Sequence, residues 1–186
     1  DVLGSLGGSL NKMAESLDFS FNEISRKEWL QTGLTKIDEA MMGEKPPAVV
    51  AQAVLNELVD YTGCIAGAFY LSNEIGLLKL AATYSIEPAK KDWKLGEGLV
   101  GVAAKSGKTM EIKNVKDEDF AITLTSGSLK PRYIIAVPVL HNRKMRGVVE
   151  LAAMEPFGGR EHELLKTVAE HTGITINLAP ADVRKA

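Results

Sequence analysis

The segment Gly96-Glu97-Gly98-Leu99-Val100-Gly101 spells G-x-G-x-x-G, a spacing at which backbone amides can wrap a pyrophosphate, and acidic residues Asp117 to Asp119 follow about 20 positions on. The context speaks against a dinucleotide. PAKKDWKL, ahead of the glycines, is too polar for a buried strand, and no parallel β-α-β unit follows. The glycines are better suited to a tight turn and close packing at the mouth of a pocket.

Nucleophilic chemistry needs a nucleophile with a base in reach. The single cysteine, Cys64, opens an apolar run with no electropositive neighbour, which predicts an inert thiol. It also excludes an internal disulfide and favours a reducing compartment. Of the three histidines, His141 lies in a turn, and His162 and His171 are nine apart on one helix, on opposite sides of it. No metal site is expected.

A carboxylate inside a strand is the remaining candidate. In GVVELAA, alternation puts Val149 and Leu151 on one face and Glu150 and Ala152 on the other. If the apolar pair meets a helical layer, Glu150 points into a cavity; if nothing covers the other face, Glu150 is solvated. Tyr70 and Tyr133 on strands, with Trp93, Leu99 and Phe120 from a covering segment, are placed near the same space, where they either line a pocket or fill core. An apolar pocket with one carboxylate would suit a small neutral or cationic ligand.

The elements that must position these residues follow from periodicity. Leu3, Leu6, Leu10, Met13 and Leu17 step by 3 and 4, as a helix in a coiled coil requires, with Phe21 and Ile24 extending the seam. A second seam, Leu30, Leu34, Ile37 and Met41, is out of phase with the first by one residue. A junction over Asp18 to Lys27 is expected to absorb the shift. Gly4, Gly7, Gly8 and Gly33 each cost about 1 kcal/mol relative to alanine, so this helix needs a partner, either a second copy or its own domain.

After MMGEKPP, a helix carries Val50, Val54, Leu58 and Tyr61 and stops near Gly63. Residues 64–71 and 77–84 read as one hairpin, and 133–140 and 145–154 as another. Residues 85–132 read as a polar stretch to Trp93, a short helix near Leu99–Lys105, a strand at 110–113 and a polar loop to Arg132. A closing helix follows Gly158-Gly159 and breaks before Pro180. This order predicts an α+β fold: a mostly antiparallel sheet of five or six strands, helices on one face, a loop-and-helix segment covering a pocket on the other, and an N-terminal helical extension.

Composition agrees with one domain plus an extension: 186 residues, 45% apolar, with 22 basic and 24 acidic side chains. The near-neutral balance argues against nucleic acid as a partner, because a duplex rewards clustered lysine and arginine. No apolar run approaches the ~20 residues that span a bilayer, and the start lacks a signal-peptide pattern. The chain opens on Asp1 without methionine, as a soluble piece of a longer protein would.

The run from Leu30 to Leu178 resembles a GAF domain, a sensory module related to PAS. The resemblance rests on YTGC, GAFYL, KLGEGLVGVAAKSGK, IIAVPVL, GVVELAA followed by EPF, and EHELLKTVAEHTGITINLA, in that order. Residues 1–17 are similar to the second helix of a HAMP domain, with Asn11, Met13, Ala14 and Leu17 at the places of its Asn-x-Met-Ala-x-x-Leu ending. The division implied is 1–24 for the HAMP-like helix and junction, 25–180 for the GAF domain with its linker helix, and 181–186 for the start of a linker to an output domain.

The resemblance implies a non-enzymatic sensory and relay module: a homodimer along the helix of Leu3, Leu6, Leu10, Met13, Leu17, Leu30, Leu34, Ile37 and Met41, with its closing helix in the bundle. The parent would sit on the cytoplasmic face of a bacterial inner membrane and carry a histidine kinase core, a chemotaxis transducer or a diguanylate cyclase as output. A ligand-free dimerisation spacer is a competing reading. No cofactor is expected: Cys64-Ile65 lacks the histidine of the bilin type, and Asn114, Lys116 and Phe120 stand in the wrong order with Asp117-Glu118 for the cyclic-nucleotide type. An enzyme of the methionine-sulfoxide-reductase type is a further competing reading, disfavoured because that type needs several cysteines.

Overall fold

The computed structural model describes residues 1–116, 122–124 and 130–179. Its first element, α1, is one unbroken helix from Val2 to Ala40, capped at its start by the Asp1 carboxylate, which accepts from the Leu3 amide at 3.1 Å. α2 (Pro47–Thr62) begins on a proline that needs no amide partner and ends at Gly63, whose φ of 74° closes the helix in the left-handed conformation.

The strands are β1 (Ala66–Ser72), β2 (Leu78–Tyr84), β3 (Ile86–Pro88), β4 (Asp92–Trp93), β5 (Met110–Lys113), β6 (Ile122–Leu124), β7 (Tyr133–His141) and β8 (Lys144–Ala153). α3 (Gly98–Ser106) lies between β4 and β5, and α4 (Gly159–Leu178) closes the described chain. Six strands form one sheet in the order β4-β2-β1-β8-β7-β5, with every neighbouring pair antiparallel; β3 and β6 form a separate ribbon. The β7–β8 turn places Asn142 and Arg143 at positive φ, as the right-handed twist of a two-residue hairpin requires.

Side chains alternate across this sheet into two cores. Phe69, Ile135, Val137, Val139, Val149 and Leu151 meet α1, α2 and α4; Ala68, Tyr70, Leu78, Ile134, Ala136, Val148 and Ala152 meet α3 and the β3 strand. The fold is therefore α+β with helices on both faces, three on one side and the short α3 on the other. Among the described residues no helix is long and apolar enough to cross a membrane.

Three expectations need correction. The 85–132 region holds more strand than its polarity suggested: β3, β4 and β6 are too short for periodicity to reveal, and their backbone pairing defines them. No break occurs over residues 18–27, which lie within α1. Leu30, Ile37 and Met41, expected to face a second copy, are 8%, 0% and 5% exposed because they are buried in the chain's own helical core, with Leu34 packed partly against it.

The first half of α1 extends past the domain: residues 1–22 are exposed on every side of the helix, and Phe19, five turns before Ile37 and on the same side, is 69% exposed. Leu3, Leu6, Leu10, Met13 and Leu17 are 56–77% exposed.

Candidate functional site

The α3 face of the sheet holds the candidate site. Glu150 sits in the middle of β8, opposite Ala68 of β1 and Ala136 of β7, and only 8% of it is exposed. Alternation places it with Val148 and Ala152, whose side chains join the α3 core, and opposite to Val149 and Leu151, which join the helical one. Burial pushes its carboxyl up to about 7, because desolvation penalises the charged form. Among the described residues it meets no hydrogen-bond donor and no ion-pair partner.

Tyr70, 1% exposed, shares this face one pair further along β1. Its hydroxyl is pushed up to about 12, first by burial and then by the nearby Glu150 carboxyl, while the Trp93 indole acts in the opposite sense. Trp93, on the edge strand β4, completes the group: its Nε1–H is sealed from solvent and is directed at the Tyr70 hydroxyl, whose titration it lowers by hydrogen bonding. The Lys90 ammonium lies 4.9 Å from the Trp93 ring centre and pairs with Glu97.

The glycine motif serves this group by geometry. Gly96 and Gly98 take φ of 84° and 64°, and a β-carbon on Gly98 would come within 2.5 Å of the Trp93 ring. A β-carbon on Gly101 would meet the Lys94 carbonyl oxygen at 2.3 Å. The turn folds onto itself, with the Gly96 amide donating to the Gly101 carbonyl at 2.8 Å, and it presses α3 against Trp93. Spacing that resembles a phosphate cradle is here a packing device.

Of the residues placed near a pocket by sequence, Tyr70, Trp93, Leu99, Glu150 and Ala152 come together on the α3 face. Tyr133 does not. Its place on β7 alternates with Ile135 and Val137, which point to the helical layer, so it stands on the opposite face from Glu150. Phe120 lies outside the described residues.

The other groups singled out by sequence are separate. Burial pushes the Cys64 thiol up to about 11, although it accepts from Thr62 Oγ1 at 3.1 Å. His162 pairs with Glu111 of β5, and His171 with Asp38 of α1 at 2.9 Å, so each ties α4 to a different element. Sequence reasoning missed the cluster where α1 meets the domain. There the Arg160 guanidinium lies 4.3 Å from the Trp29 ring centre, Trp29 packs 5.0 Å from Tyr61, and Arg26 bonds Glu163. No periodic signal marks it, since its members come from three distant helices.

Known proteins share this architecture. The GAF domain of an Acinetobacter phosphoenolpyruvate-protein phosphotransferase superimposes with a TM-score of 0.64 at 20% identity, covering 82% of this chain and 93% of that one. The GAF domain of A. aeolicus nlh2 in an inactive state gives 0.66 at 22% identity, covering 82% and 98%. The free methionine-R-sulfoxide reductase of Neisseria meningitidis, in complex with its substrate, gives 0.65 at 20% identity, covering 80% and 88%. No curated protein matches the chain. A family model for the GAF domain matches residues 44–177, most of the chain, and with the sheet order and the α3-covered face described above it makes this protein a member of the GAF domain family.

Proposed function

We propose that this GAF domain is a non-catalytic sensory and relay module of a bacterial sensor anchored in the inner membrane, with a histidine kinase core as its output. The α3 face around Glu150 would receive a small molecule, and α1 would pair with α1 of a second copy. The HAMP-like pattern of residues 1–17 supports the placement after a membrane-linked helix. The single cysteine, its thiol held protonated by burial, favours a binding module over a thiol-dependent reductase.

The observation that carries the reading is the seam of Leu3, Leu6, Leu10, Met13 and Leu17, which lies exposed on the half of α1 that extends past the domain. Burying a leucine contributes about 1.5–3 kcal/mol, and a self-complementary seam offers five such residues from each chain. Charges do not oppose it: Lys12, Glu15 and Asp18 lie off the seam, and Gly7, Ser9, Ala14 and Ser16 flank it.

Sedimentation of the chain tests the pairing. A dimer is expected, and the double substitution Leu6→Glu with Leu10→Glu is expected to give a folded monomer, because neither residue touches the domain. A chain that stays monomeric at several hundred micromolar overturns the proposed pairing.

A further inference from the structure

On the helical face of the sheet α4 lies against β7, and it is fastened there at two points. The His162 imidazole pairs with Glu111 of β5. About three turns further along the helix, Gly173 presses on β7, where a β-carbon would meet the Leu140 carbonyl oxygen at 2.3 Å. Between these points the contact opens. β5 pairs with β7 only from Met110 to Lys113, so β7 runs on past Ala136 with no strand along its outer edge. The helix faces that stretch with Ala169, whose side chain is a single methyl group. A cavity of about 290 Å³ results, with Val137, Pro138, Leu140 and Ala169 as its apolar wall.

The rim of this cavity carries one charge of each sign. Lys166 and Glu170 border it one turn apart on α4, and among the described residues neither has an ion-pair or hydrogen-bond partner. They do not bridge each other, and lysine ahead of glutamate at this spacing is the weaker order for such a pair. Their β-carbons are about 5–6 Å apart. A molecule with an ammonium and a carboxylate on one carbon fits between them and satisfies both, whereas a simple anion or cation meets one charge and is repelled by the other. The Thr109 hydroxyl, which also lines the cavity, can donate to the carboxylate or accept from the ammonium.

We infer that the cavity between α4 and the outer edge of β7 binds a free α-amino acid with a compact aliphatic side chain. Its carboxylate pairs with Lys166, its ammonium pairs with Glu170, and its side chain lies on Val137, Leu140 and Ala169. This site is on the opposite face of the sheet from Glu150 and goes beyond the small-molecule site proposed there. Holding three groups of one carbon also distinguishes its two enantiomers.

Calorimetric titration of the full chain at pH 7.5 tests this with leucine, with isocaproate, which is leucine without its ammonium, and with isoamylamine, which is leucine without its carboxylate. Leucine is expected to bind with one enantiomer preferred, and each truncated probe to bind about tenfold more weakly, the worth of one charged hydrogen bond. Lys166→Met and Glu170→Gln, both at exposed positions, are each expected to weaken leucine binding about tenfold, with the melting temperature of the free variants reporting that the fold is kept. Exchanging the charges, Lys166→Glu with Glu170→Lys, reverses them over the same apolar wall. That double variant is expected to invert the enantiomer preference, which a merely structural role of these residues would not do.

Isocaproate or isoamylamine binding as tightly as leucine overturns the assignment of a zwitterion, and so does equal binding of the two enantiomers. Leucine binding that survives both single substitutions overturns the site, and its loss on Glu150→Gln would then place the ligand on the α3 face. Absence of leucine binding at about 50 mM also overturns it. The α1 pairing is read by sedimentation and is independent of these results.

Discussion

Gly33 of α1 meets the ring of Tyr61 of α2 with no side chain between them: a β-carbon at Gly33 would come within 2.5 Å of Tyr61 Cε2. The ring cannot easily yield, since its hydroxyl donates to the Trp29 carbonyl, its face packs on Trp29, and the Lys36 ammonium lies 5.6 Å from its centre. The glycine that weakens α1 by propensity is the one that lets α1 seat on the domain. Gly7 and Gly8, nearer the start of the same helix, serve no such contact, because a β-carbon at either would meet nothing within 4 Å.

Substitution separates these two roles. Gly33→Ala is expected to destabilise the domain by up to about 2 kcal/mol in urea unfolding, because an overpacking cost of about 1–3 kcal/mol opposes a gain of ~1 kcal/mol in helix propensity. Gly8→Ala should instead raise helicity at 222 nm and leave the unfolding midpoint of the domain unchanged or higher. Equal effects of the two substitutions would contradict the Gly33–Tyr61 contact.

Glu150 makes stability depend on pH in a defined direction. Its carboxyl titrates near 7 in the folded chain and near 4.5 when exposed. Between those values the folded chain holds a proton that the unfolded chain has released, so stability falls as pH rises from about 4.5 to about 7 and then levels off. Glu150→Gln is expected to remove this slope and to stabilise the chain at pH 8 by on the order of 3 kcal/mol. Urea midpoints at pH 5, 6, 7 and 8 measure it, and an unchanged slope in the variant would show that another group is responsible.

Thr172, on the buried side of α4, is fully shielded and its Oγ1 has no hydrogen-bond partner among the described residues. Valine has nearly the same shape and no hydroxyl to desolvate. Thr172→Val is expected to gain about 1 kcal/mol in thermal or urea unfolding. A loss of that size would mean that the hydroxyl is satisfied in solution.

Cys64 should behave as an inert thiol. Raising its titration from 9 to about 11 lowers the thiolate fraction at neutral pH about 100-fold, before any steric protection is counted. Reaction with a disulfide reagent at pH 7.5 is expected to be at least that much slower in the folded chain than in 8 M urea. Comparable rates would place the thiol at the surface.

What depends on local periodicity, and on the residues that punctuate it, was legible in the chain alone. The helix of Val50, Val54 and Leu58, the hairpins at 66–84 and 133–153 and the closing helix follow from alternation, from periods of 3 and 4, and from Gly63, Gly158 and Pro47. Alternation also put Glu150 and Ala152 on the face opposite to Val149 and Leu151, which is why most of the candidate site could be named in advance.

Which partner each face meets was settled only when the elements packed together. Two apolar seams on one helix look alike as spacing, yet Ile37 is buried in its own domain and Leu10 is not, because the domain packs only on the second half of α1 and the first half extends past it. Tyr133 and Glu150 both lie on strands of one sheet, and the pairing register, which depends on both strands together, sets them on opposite faces. The sealed Trp93 Nε1–H is likewise a product of three segments, β1, β4 and α3, brought together in space; no single stretch of sequence carries that information.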